Sequence, residues 1–220
     1  LIEASYVILR NGLLQRRAAI REMASVLLGQ DTRPAPGRSE IRWFSDKMPI
    51  NLAYEGVARS ILDDIRTVIM VRPFLSTWIS GLLTGLGDEH SYFLDPQALL
   101  RIYNLHFDLA EGLFSRVGPS KALAVTLEGL SEDPDGVAEA TRARLDLPKR
   151  DGAADPNENG IVRTFSQGRV RDTVSRAVSD QYLPYRALLD PAILAVVEQA
   201  DARRARFLDR FQDRLIGARD

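Results

Sequence analysis

Asp88, Glu89, His90 and Ser91 stand together in GLGDEHSYFLDP, the segment from Gly85 to Pro96, and their types are suited to chemistry. An imidazole beside two carboxylates could serve as an oriented general base or join a metal site. The spacing argues against both. Adjacent residues on a turn rarely converge on one ion, and the only other histidine, His106, lies on a separate helical run. The chain has no His-x-x-x-His or Glu-x-x-His pair, the spacings with which a helix presents zinc or a di-iron centre. Ser91 as a nucleophile has no identifiable activating base. A helical metal-dependent hydrolase built on Asp88, Glu89 and His90 is therefore the weakest of three functional readings, and no metal or cofactor is expected.

Cations on apolar seams form a second set of candidates. Ile2, Tyr6, Leu9, Leu13, Ile20, Met23 and Leu27 recur at steps of three and four, and Arg16 takes a seam place that the pattern assigns to an apolar residue. Arg204 does the same in the run from Ile193 to Leu215. A buried guanidinium needs a carboxylate, an open surface or an anionic ligand, and a snorkelling or ion-paired side chain is the ordinary solution. His106 shares a seam with Leu99, Ile102, Leu109 and Leu113, where a satisfied core histidine is the ordinary outcome and a ligand contact the alternative. Trp43 and Phe44 lie beside a loop and could line a pocket, whereas Trp78 at helical spacing reads as packing. No Walker motif or dinucleotide fingerprint is present.

The elements that must position these residues read as helices. Asp95 is placed as an N-cap with Pro96 as first helical residue, and Leu189-Asp190-Pro191 repeats the arrangement. One helix spans the first thirty residues; a second starts near Met48 and is broken or kinked at Pro73. A third follows Asp95 until Gly118-Pro119. Further helical runs cover residues 120–130, 135–147, 161–182 and the stretch after Asp190. No period-two alternation bounded by turns is evident. The fold class expected is all-α: one domain over residues 1–220, an antiparallel helical bundle or two stacked four-helix-type bundles sharing long first and last helices, with loops near 30–47 and 148–160.

Composition narrows the setting. The chain has 220 residues, 45% hydrophobic and 27% charged, enough to bury a sizeable core. A net charge of −1 supplies no basic field for nucleic acid. Without cysteine there is no disulfide, thiolate or iron–sulfur chemistry. No apolar run reaches the length of a membrane span. A start at Leu1 reads as a piece of a longer protein, with membrane segments expected outside it.

The segment around Gly87 resembles a motif of the helical extracytoplasmic sensor regions of bacterial transmembrane receptors, histidine kinases and chemoreceptors among them. Gly87, Asp88, Leu94, Asp95 and Pro96 match it in position and spacing; Phe93 falls on an apolar position and Tyr103 follows in the next helix. His90 and Ser91 stand where that family has Ser and Asn. Leu14-Gln15-Arg16-Arg17 and Leu28-Gly29-Gln30-Asp31 are similar to the family's first helix and the turn after it. The resemblance implies a non-catalytic ligand-sensing domain on the periplasmic side of the inner membrane. It implies a small anionic ligand bound near Arg16 and Arg17, and a helix displacement passed to membrane segments outside this chain. Trp43 and His106 complete the candidate ligand set, and heptads in the first helix allow a homodimer. A cytosolic helical adaptor is the alternative reading.

Overall fold

Ile65–Val71 reads IRTVIMV, a run dominated by β-branched residues, and it forms the middle strand of the molecule. The computed structural model describes residues 3–9, 43–48, 51–61, 64–84, 88–147 and 181–217; at 3–9, 43–46, 48, 61, 88 and 89 it describes the backbone. Strands β1 (Glu3–Leu9), β2 (Trp43–Met48), β3 (Ile65–Val71), β4 (Ala122–Thr126) and β5 (Leu215–Ile216) form one sheet in the order β2-β1-β3-β4-β5. The sheet is mixed. β1 runs antiparallel to both β2 and β3, with Tyr6 opposite Thr67. β3, β4 and β5 are parallel, with Val68 beside Leu123 and Ala124 beside Leu215.

The described helices are α1 (Asn51–Ile61), α2 (Phe74–Thr84), α3 (Pro96–Arg116), α4 (Leu127–Glu132), α5 (Pro134–Arg144) and α6 (Pro191–Arg210). They cover both faces of the parallel strands. On one face Ile69, Val71, Ala122 and Ala124 pack into a core with α2, α3 and α6. On the other, Leu123 and Val125, with Val68 and Met70 against them, meet Val137 of α5, Leu145 and Ile216. Side chains along a strand alternate between faces, so one pair of strands feeds two cores.

This α/β architecture overturns the all-α expectation. The reason is burial on both sides. Every residue of β4 is buried, and β3 is nearly so, so neither strand shows the apolar–polar alternation of a half-exposed strand. A short continuous apolar run fits helical and strand periods equally. The expected helix from Met48 to Pro73 is α1 followed by β3, and the expected helix over 120–130 is β4 followed by α4. Glu3–Leu9, expected in a long first helix, is a strand. Residues 43–47, expected in a loop, belong to β2. The last helix stops at Arg210, short of Leu215. The loops at 31–40 and 148–160, and the helix at 161–182 save its last two residues, lie outside the described residues.

Helix ends follow local chemistry. The Asp95 carboxylate accepts from the Gln97 amide at 2.9 Å and Pro96 opens α3; the Asp190 carboxylate accepts from the Ile193 amide at 2.9 Å and Pro191 opens α6. The described part of GLGDEHSYFLDP, from Asp88, leads into α3. Its Asp88–Leu94 part is a 3₁₀ turn bent at His90 (φ −112°, ψ 19°). Phe93 is buried there, its ring lying where a Cβ on Gly81 would have to be, and its carbonyl accepts from the Trp78 indole at 2.9 Å.

Candidate functional site

Parallel strands place their carboxyl ends, and the amino ends of the helices that follow, along one edge of a sheet. Here that edge is made by the β3–α2 and β4–α4 turns. β3 leaves the sheet at Val71, and Arg72-Pro73 makes the turn into α2. The Pro73 carbonyl takes the first helical bond, accepting from the Thr77 amide at 3.0 Å and from the Thr77 hydroxyl at 3.0 Å. The amides of Phe74, Leu75 and Ser76 therefore precede any acceptor inside their own helix. No acidic residue lies in the first turn of α2 to meet the positive end of its dipole.

Ser76 sits in that first turn. It is 2% exposed, and its hydroxyl has no hydrogen-bond partner among the described residues. Side chains on a helix tilt toward its amino end, which is the end that carries the first-turn amides. An unpaired buried hydroxyl costs about 1–3 kcal/mol, a penalty that folded proteins rarely leave uncompensated.

Tyr103 of α3 closes the floor of this turn. It is 2% exposed, and its hydroxyl donates to the Arg72 carbonyl at 2.7 Å, 31 residues away in sequence. Its ring meets Phe74 and Phe107 edge-on, with centroids 5.3 Å and 4.9 Å away. Burial pushes the phenol far above its ordinary value of about 10, so it remains a donor. Arg204, Asp201, Glu128 and Arg72 are the charged groups near enough to act on it. Glu128 comes from the first turn of α4, whose N-cap Thr126 accepts from the Gly129 amide at 3.2 Å and donates to the Gly217 carbonyl. Gly217 has φ +74°, and its backbone fills the space a Cβ on Gly129 would need, so both positions require glycine.

Arg204 reaches in from α6. One of its terminal nitrogens donates to both Glu128 oxygens, at 2.8 and 2.7 Å. The seam cation thus finds a carboxylate within the fold. Its Nε is buried with no partner among the described residues.

The residues named from sequence are placed elsewhere. Arg16 and Arg17 lie outside the described residues. Trp43 is the first residue of β2, the outermost strand beyond β1, opposite Leu9. His106 is half-buried on α3, and its Nδ1 donates to the Ile102 carbonyl at 2.8 Å, as a packed histidine does. His90 Nδ1 lies 3.0 Å from the Tyr92 hydroxyl within the 3₁₀ turn. Ser76, Tyr103 and Glu128 were not singled out by residue type. The readable signal was the β-branched run ending at Val71, followed by Arg72-Pro73 and the small polar pair Ser76-Thr77.

No family model, curated protein or solved structure matches this chain.

Proposed function

We propose that this is an α/β ligand-binding domain that holds a small oxyanion-bearing molecule, with a phosphoryl or sulfuryl group, at the amino end of α2. The observation that carries the reading is the buried Ser76 hydroxyl, without a hydrogen-bond partner among the described residues, in the first turn of a helix that begins at the carboxyl end of β3. A tetrahedral oxyanion supplies acceptors for the hydroxyl and the amides and a negative charge for the helix dipole. Strand ends of open α/β sheets are where such ligands are held. An anionic ligand is also the part of the sensor reading that this geometry supports. Placement in a membrane receptor rests on the sequence resemblance alone, and Glu3–Leu9, being a strand, does not supply the first part of a helical leg.

Calorimetric titration with inorganic sulfate, inorganic phosphate, chloride and adenine nucleotides tests the reading. Sulfate or phosphate should bind and chloride should not, and tighter binding of a nucleotide would identify what carries the oxyanion. Ser76→Ala should weaken sulfate binding about tenfold, the size of a hydrogen bond to a charged group. Equal affinity in wild type and Ser76→Ala would remove the site.

A further inference from the structure

An anion at the amino end of α2 requires that the amides there face it and that the preceding carbonyl face away, because a carbonyl oxygen turned toward the ligand repels it. The peptide that decides this is Arg72–Pro73, the turn between β3 and α2. Proline has no N–H, so this peptide presents a carbonyl and no donor, and a rotation of it brings only repulsion to the site. The Arg72 carbonyl lies beyond the last parallel pairing of β3, which ends with Val71 beside Thr126. The hydroxyl of Tyr103 donates to it at 2.7 Å from α3, a separate element. Tyr103 also packs edge-on against the rings of Phe74 and Phe107, both fully buried.

We infer that Tyr103 is a positioning residue for the oxyanion site: its hydroxyl fixes the Arg72 carbonyl on the α3 side and so holds the first turn of α2 in its receptive orientation. The inference rests on the oxyanion reading above. Tyr103 acts through the peptide and does not itself touch the ligand. Because burial keeps the phenol protonated, the donor is present throughout the ordinary pH range.

The test uses the full chain and inorganic sulfate as the probe. Tyr103→Phe removes the hydroxyl and keeps the ring. Phe107→Leu is the control for packing, because it disturbs the ring contact and leaves the hydrogen bond. Dissociation constants are measured well below the unfolding midpoint of each variant, and amide exchange is followed at Leu75, Ser76 and Thr77. Tyr103→Phe should weaken sulfate binding about fivefold and speed exchange at those three amides. Phe107→Leu should lower the unfolding midpoint and leave the sulfate affinity within twofold of wild type. Sulfate affinity lost in Ser76→Ala but undisturbed in Tyr103→Phe would overturn the positioning role while sparing the site. Equal loss in Tyr103→Phe and Phe107→Leu would reduce Tyr103 to a packing residue. Absence of sulfate and phosphate binding by the wild type would overturn the site and the positioning role with it.

Discussion

The two ends of β3 carry buried polar groups of opposite character. At its amino end the groups satisfy one another. Glu55 of α1, 2% exposed, pairs with Arg59, which also donates to the Ile65 carbonyl and the Thr67 hydroxyl, both at 3.0 Å. Arg66 donates to the Leu145 carbonyl at 3.0 Å and pairs with Asp64, which also takes Lys121. At the carboxyl end the Ser76 hydroxyl and the Arg204 Nε are buried without a partner among the described residues. A closed network stitches α1 and the start of β4 onto the sheet, whereas an open one has capacity for a molecule from outside. The same strand thus separates an end whose buried polar groups are satisfied within the fold from one where, among the described residues, two buried donors have no partner.

Substitutions should respect that division. The largest effect belongs to the closed end. Glu55→Ala leaves the mostly buried Arg59 guanidinium without its carboxylate and should lower unfolding free energy by about 2–3 kcal/mol in urea denaturation. A loss below about 1 kcal/mol would mean that this network is not what holds α1. At the open end Arg204→Ala strands Glu128 and should cost about 1–2 kcal/mol. The double variant Arg204→Leu/Glu128→Leu should recover most of that stability, because removing both charges leaves neither uncompensated. A double variant no more stable than the single would assign the loss to packing of the Arg204 stem.

Tyr103 adds a dependence on alkaline pH. Its folded-state pKa is raised above the ordinary value of about 10, so above that pH the unfolded chain loses a proton that the folded chain keeps. The contribution is fully present below pH 10 and is lost as pH climbs beyond it, by at most about 1.4 kcal/mol per pH unit. Tyr103→Phe should show a shallower decline between pH 10 and 11.5; parallel curves would place the phenol in contact with solvent. The smallest effect on stability is expected for Ser76→Ala. Removing an unpaired buried hydroxyl should leave the unfolding free energy within about 0.5 kcal/mol of wild type, or raise it. A loss above 1 kcal/mol would mean that the hydroxyl has a protein partner and that the carboxyl end is as closed as the amino end.

Short-range features were legible without coordinates. Asp95-Pro96 and Asp190-Pro191 start helices because a carboxylate and a ring with fixed φ act within a single turn, whatever surrounds them. Asp88–Leu94 is a 3₁₀ turn that delivers the chain to that Asp95 cap. That Arg204 needs a partner (a carboxylate, an open surface or an anionic ligand) was also legible, and the structure supplies the carboxylate. Which carboxylate was not, since Glu128 lies 76 residues away in the chain.

Tertiary structure decided the rest. IRTVIMV and ALAVT are strands because helices cover both sides of the sheet, and that burial removes the alternation by which a strand is recognised. His106, which a periodic reading marks as a candidate, is tied to its own helix. Ser76 and Tyr103, which the same reading does not single out for a site, lie at the strand end where the Ser76 hydroxyl has no partner among the described residues. The amino-acid sequence determines which groups can donate or accept a hydrogen bond. Only the long-range packing of α3 and α6 on the sheet decides which of those groups keep a free donor after the protein has satisfied its own.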